Sequence, residues 1–115
     1  MDELTLYQKQ YDLILYAFPI INRFPKAQRF VLGQQIQNCL LGIARLIVQA
    51  NKQRGNRLPI LAQVDIEIEQ LRLLIRLAKD LRLLSVPQYG ALAERSNEIG
   101  RLLGGWIKSQ TPGLR

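Results

Sequence analysis

Three prolines divide this chain into long segments with helical apolar spacing, and this pattern constrains the fold most. Pro25, Pro59 and Pro87 each precede such a segment, and a fourth segment lies before Pro25. A proline suits the first turn of a helix, because its missing N–H breaks no hydrogen bond there. The sequence therefore predicts four helices, at residues 4–22, 25–53, 59–84 and 87–109.

The pattern predicts a single all-α domain. No segment shows the sustained alternation of a strand, and short connections between long helices favour antiparallel neighbours. At 115 residues with 48% hydrophobic residues, the chain fits one globular domain over 1–115. We therefore expect an up-down-up-down antiparallel four-helix bundle. Pro19 lies inside the first segment and is predicted to kink that helix or to end it early.

The predicted helices carry more apolar surface than a monomeric bundle needs. The third segment has apolar residues around well over half its circumference, from Ile66 to Leu84, whereas a bundle helix needs an arc only somewhat wider than about 100°. Self-association would bury the surplus; the alternative is that this helix is central in the bundle. The predicted subunit contacts lie on second faces of helices two and four, and they are Phe30, Leu41, Val48, Arg95, Leu102 and Trp106. For Trp106 the alternative is a platform for base stacking.

The positive charge is concentrated in one half of the chain. Between Leu13 and Val64 there are seven basic residues and no Asp or Glu, whereas the other 63 residues balance nine basic against nine acidic. The whole net charge of +7 therefore belongs to this stretch. An uncompensated positive potential attracts polyanions, so nucleic acid is the first partner to consider.

In the predicted bundle the basic residues gather at both ends. The middle of helix two adds polar donors that can bind phosphates and sugar hydroxyls without reading sequence; the alternative is an ordinary solvated face. The candidate residues for binding nucleic acid or a partner are Arg23, Lys26, Arg29, Arg45, Lys52, Arg54, Arg57, Arg72, Arg76, Lys79 and Lys108. Arg72, Arg76 and Lys79 form a ladder that can pair with Glu69 and Asp80, so a solvated structural role is favoured for it.

Catalysis has little basis in this composition. The chain has no histidine, which excludes Ser-His-Asp and Cys-His arrangements and the Glu-x-x-His metal sites of helical bundles. Asp65 with Glu69, and Glu94 with Glu98, could hold Mg²⁺, but ion pairing with an arginine three residues on is favoured. The single cysteine, Cys39, is expected to be a small core residue rather than a reactive thiol. We therefore expect no enzymatic activity, no metal and no cofactor.

The sequence also predicts a cytoplasmic protein that does not enter a membrane. The longest apolar run, from Cys39 to Val48, is broken by Arg45 and is shorter than the roughly 18 residues of a membrane span. The start of the chain, with Asp2 and Glu3, lacks the basic and apolar regions of a secretory signal.

Three parts of the sequence resemble one protein family. They are the corner Arg23-Phe24-Pro25-Lys26 with Arg29-Phe30 and Leu32-Gly33, the segment from Leu71-Arg72 to Arg76-Leu77-Ala78, and the ending Glu98-Ile99-Gly100-Arg101-Leu102-Leu103-Gly104-Gly105-Trp106-Ile107-Lys108. These parts look like the accessory variability determinant (Avd) proteins of diversity-generating retroelements. The resemblance covers nearly the whole chain, and the ending is its most specific part.

The resemblance implies a pentameric, positively charged barrel that partners a reverse transcriptase and binds nucleic acid in mutagenic retrohoming. In that process template-repeat RNA yields adenine-mutagenised cDNA for a variable target gene. The family is related to four-helix-bundle proteins encoded by intervening sequences in bacterial large-subunit ribosomal RNA genes. A ribosomal-RNA-associated bundle of that type is therefore the first alternative, and a purely structural or membrane-surface oligomer is the second.

Overall fold

The computed structural model describes residues 3–111, and this range contains four helices and no strand. The helices are α1 (Glu3–Asn22), α2 (Lys26–Lys52), α3 (Leu58–Asp80) and α4 (Val86–Ser109). The all-α prediction is confirmed for this range, and most predicted helix ends are within one residue of the observed ones. The outermost parts of the predicted 1–115 domain, residues 1–2 and 112–115, lie outside the described residues.

The prolines lie where helices begin. Pro25 directly precedes α2, and Pro59 and Pro87 are the second residues of α3 and α4. At the start of α4, Ser85 Oγ accepts a hydrogen bond from the Gln88 N–H at 3.2 Å, while the Ser85 N–H donates to Gln88 Oε1 at 2.9 Å. This capping box satisfies two donors that the first turn otherwise leaves free, which fixes the start of α4.

Pro19 does not end α1, so of the two expectations, a kink or an early end, the early end was wrong. The helix continues for three residues beyond it, to Asn22. The proline removes the hydrogen-bond donor for the carbonyl of Leu15, but both residues are exposed, so water can solvate that carbonyl. Ile21 and Phe24 are buried beyond the proline, and their packing holds the last turn in place.

The end of α3 was also predicted wrongly, at residue 84 instead of Asp80. Arg82 has a left-handed backbone, with φ 63°. Its N–H donates to the Lys79 carbonyl at 2.9 Å, and the N–H of Leu83 donates to the Ala78 carbonyl at 2.8 Å. These two bonds form the usual left-handed helix ending, in which glycine is the commonest residue. Beyond Asp80, this turn buries Leu84, whereas Leu81 stays exposed.

The core is built from the inner faces of all four helices. α1 packs against α2 and α4, and α3 packs against the same two helices, so α1 and α3 lie diagonally across the bundle. The molecule is elongated, with extents of 47 × 22 × 19 Å. Near the start of α2, a π turn at Arg29–Gly33 brings Gly33 close to α1, where an added Cβ would lie 3.0 Å from Ile21 Cγ2.

The sequence predicts no membrane span, but α2 meets the length and composition of one. By length and composition, with a mean hydropathy of 1.2, Lys26–Lys52 is apolar enough to cross a membrane. Its apolar residues, however, form the inner stripe of the bundle, with Ile36, Ile43 and Ile47 buried in the core. The packing accounts for this inner stripe, whereas Phe30, Leu41 and Val48 of the same helix are exposed.

Candidate nucleic-acid and subunit interfaces

The corner between α1 and α2 holds a first basic cluster of Arg23, Lys26 and Arg29. Arg23 and Lys26 are exposed, and Arg29 Nη1 donates to the Asn22 carbonyl at 3.2 Å. The cluster surrounds the first turn of α2, which has no acidic residue. Cations near the positive end of a helix dipole are unfavourable without a counter-anion. The three residues lie at this short corner, as the sequence predicted.

The opposite end of α2 holds a second basic cluster of Lys52, Arg54 and Arg57. Lys52 and Arg54 are exposed, while the half-buried Arg57 donates from Nε to the Gln53 carbonyl at 3.2 Å. At about 1.5 Å per residue, the 27 residues of α2 place the two clusters about 39 Å apart. Lys108, in the last turn of α4, is exposed as well.

The ladder on α3 is paired as predicted. Arg72 forms an ion pair with Glu69. Arg76 Nε lies 3.9 Å from Asp80 Oδ2, and Lys79 Nζ lies 3.8 Å from Asp80 Oδ1. Exposed pairs of this kind contribute at most about 1 kcal/mol to stability. The ladder is therefore less available to a polyanion than the two clusters.

Sequence reasoning missed a groove of about 190 Å³ between α3 and α4. Lys79 Nζ lies 4.7 Å from the ring centroid of Tyr89, which lines this groove. Arg72 crosses towards α4, and its buried Nε has no hydrogen-bond partner. The groove is possible because α4 has small residues here, with Ala93 and Ser96 among its lining.

The exposed face of α2 is not free of acidic neighbours in space, although it is in sequence. Gln35, Asn38 and Arg45 are exposed as predicted. Glu67 of α3, however, lines the same groove as Gln35 and Asn38. The polar donors in the middle of α2 therefore do not stand alone, because the neighbouring helix supplies a carboxylate.

Cys39 lies at the edge of that groove and is a buried core residue, as predicted. Its Sγ donates to the Glu67 carbonyl at 3.2 Å. Burial raises the pKa of the thiol from its ordinary value of 9.0 to about 12, and the charge of Glu67 and the hydrogen bond to Glu67 add to this rise. A protonated thiol is a poor nucleophile, so this cysteine is chemically inert near neutral pH.

Most acidic residues lie near the middle of their helices and form an acidic belt. The belt consists of Asp12 on α1, Asp65, Glu67 and Glu69 on α3, and Glu94 and Glu98 on α4. Lys9 Nζ lies 3.5 Å from Glu98 Oε2, so this carboxylate pairs across helices and not with Arg101. No group of three potential metal ligands occurs in the described part of the chain.

Trp106 does not belong to an exposed subunit interface, and that prediction was wrong. Its side chain is 1% exposed and is the largest side chain in the core. Leu102, one helical turn earlier and on nearly the same face of α4, is half-buried. Arg95 remains exposed, with its guanidinium carbon 4.5 Å from the ring centroid of Tyr16. A buried Trp106 also excludes the base-stacking alternative.

Exposed apolar residues form two stripes on diagonal helices. The α3 stripe consists of Ile66, Leu73, Leu77 and Leu81, and Leu73 is 60% exposed, so α3 is not a fully buried central helix. The α1 stripe, which sequence reasoning missed, consists of Leu4, Tyr7, Tyr11 and Leu15. Their spacing of three, four and seven residues places each set on one helix face. Of the other predicted contacts, Phe30, Leu41 and Val48 are exposed.

These features define a class of small, basic four-helix proteins with apolar stripes on the surface. The family model described as bAvd-like matches residues 4–110. The chain therefore belongs to the bAvd-like family, as the resemblance in the sequence had indicated. No curated protein sequence matches it.

Proposed function

We propose that this chain is a non-enzymatic accessory protein that binds template RNA and cDNA and partners a reverse transcriptase in mutagenic retrohoming. The observation that carries the proposal is the pair of basic clusters on a bundle of the bAvd-like family. Within residues 3–111 the ion pairs are Lys9–Glu98, Arg72–Glu69, Arg76–Asp80 and Lys79–Asp80. Neither cluster contributes to them, so its cations are available to phosphates.

The proposed bundle is antiparallel, so that the corner after α1 and the end of α3 share one end. Gln10 Nε2 donates to the Leu40 carbonyl at 2.9 Å, and Gln37 Nε2 donates to Asn22 Oδ1 at 3.2 Å. Residue numbers rise along α1 as they fall along α2, which supports opposite directions. Arg82, which is exposed, then joins the first basic cluster at that end.

The proposed assembly is a homo-oligomeric ring, with five subunits as the family resemblance implies. The stripes on α1 and α3 face away from each other, because the two helices are diagonal. Two different complementary surfaces on one subunit make head-to-tail contacts, which give a ring where the rotation between subunits closes and an open filament where it does not. Such a ring would bury apolar side chains like Leu15 and Leu73, which are 57% and 60% exposed in one subunit.

The proposed site of action is the cytoplasm, without membrane insertion. A bundle that lacks catalytic groups can support cDNA synthesis by holding template and polymerase together, and a ring offers repeated sites for both. The cognate reverse transcriptase should therefore co-elute with this protein at moderate salt. RNA affinity should fall steeply as salt rises, with a log–log slope of several units.

Separate elution together with salt-independent RNA affinity would contradict the proposal. In that event, genes near the coding sequence decide between the alternatives. A ribosomal RNA gene without a reverse transcriptase would favour the ribosomal-RNA-associated bundle.

A further inference from the structure

We infer that each end of the bundle is a separate binding site for a phosphodiester backbone, so that one subunit holds two separate stretches of RNA. The inference rests on the proposed function, because it takes nucleic acid as the ligand. It adds that the flank of the bundle between the two basic clusters does not bind.

The acidic belt lies midway along the bundle. At about 1.5 Å per residue, Asp12 lies about 14 Å from the start of α1 and 15 Å from its end. Glu69 lies about 16 Å from either end of α3. Two contacts between helices place the acidic residues at a similar height in the bundle. Lys9 of α1 pairs with Glu98 of α4, and Cys39 of α2 donates to the Glu67 carbonyl of α3. The belt therefore crosses the bundle between its ends.

The unpaired positive charge differs between the acidic belt and the two ends of the bundle. The cations at the belt are used locally, since Lys9 and Arg72 pair with Glu98 and Glu69. At the end of the bundle that holds the first basic cluster, Asp80 is the acidic side chain among the described residues. It lies beside Arg76 and Lys79. The first and second basic clusters take no part in these pairs. Among the side chains that the structure describes, the bundle is thus positive at both ends and acidic between them.

The distance between the two basic clusters is much greater than the range of electrostatic interactions in salt solution. The two clusters are about 39 Å apart along α2, whereas the Debye length is about 8 Å at physiological ionic strength. The two ends are therefore electrostatically independent. An RNA backbone that followed α2 from one end to the other would pass Glu67 beside Gln35 and Asn38, where like charges repel.

The test counts binding sites with an RNA of four nucleotides, which is too short to reach both ends. Equilibrium dialysis at low salt should give two RNA molecules per subunit for the wild-type protein. Arg23→Glu with Lys26→Glu should leave one, Lys52→Glu with Arg54→Glu should leave one, and all four changes should leave none. These side chains are exposed, so circular dichroism should show an unchanged helix content.

A matched control makes the same change in net charge at the belt. Arg101 of α4 and Gln63 and Gln70 of α3 are exposed and close in sequence to the belt residues, and Arg101→Glu with Gln63→Glu and Gln70→Glu should keep two sites. One RNA per wild-type subunit, or loss of both sites on changing a single end, would overturn the inference and leave the proposed function standing. No RNA bound by the wild-type protein would instead overturn the proposed function.

Discussion

Gly100 of α4 makes room for Arg72 of α3. A Cβ atom added to Gly100 would lie 2.6 Å from Arg72 Nη2, closer than such atoms can approach. The same guanidinium pairs with Glu69 on its own helix. A glycine in the middle of α4 thus lets an arginine cross the α3–α4 boundary.

The first prediction compares two glycine substitutions on α4. Gly104→Ala should raise the free energy of unfolding by up to about 1 kcal/mol, because alanine favours helix and nothing lies within 4 Å of the new methyl group. Gly100→Ala should give a smaller gain, since Arg72 must move. Adding Arg72→Ala should restore the gain relative to Arg72→Ala alone. Equal gains at both glycines in urea unfolding would show that Arg72 does not occupy this space.

The second prediction concerns the left-handed end of α3. Arg82→Gly should stabilise the protein by roughly 1 kcal/mol, because φ 63° is unfavourable for a residue with a Cβ. Gly55→Ala is the matched control and should destabilise by a similar amount, because Gly55 has φ 86°. Thermal unfolding of both variants measures the effects. A lower melting temperature for Arg82→Gly would mean that the arginine side chain is needed here.

The third prediction follows from the pKa of Cys39. A thiol whose folded pKa is about 12, above its ordinary value of 9.0, favours the folded state fully below pH 9. This contribution is lost as the pH rises from 9 towards 12. Urea unfolding of the wild-type protein and of Cys39→Ala should therefore show a stability difference that shrinks over this range. Rapid reaction of the native thiol with a thiol reagent at pH 7.5 would contradict its burial.

The fourth prediction separates the subunit contact from the core. Leu73→Lys should lower the mass measured by light scattering to that of the 13.2 kDa monomer while keeping the helical signal, because Leu73 is 60% exposed. Trp106→Ala should instead destabilise the fold by about 3–5 kcal/mol, because Trp106 is fully buried. A monomeric wild-type protein would exclude the ring.

The sequence predicted the helices, because proline positions and apolar periodicity act locally. It also placed Arg23, Lys26 and Arg29 together, since they share one corner. Trp106 could not be placed, because its face depends on how far α4 is rotated against its neighbours. The approach of Glu67 to Cys39 is likewise a contact between helices that no local pattern encodes. The capping box of Ser85 and Gln88, in contrast, is a local signature of a helix start.

The most direct test of the account is cDNA synthesis on the cognate template RNA. The reaction contains the reverse transcriptase alone, with this protein, or with the Arg23→Glu and Lys26→Glu variant. We expect full-length cDNA only when the polymerase and this protein are both present. The variant should give a lower yield, because template contacts at the first basic cluster are lost. The same product at the same yield from the polymerase alone would contradict the account.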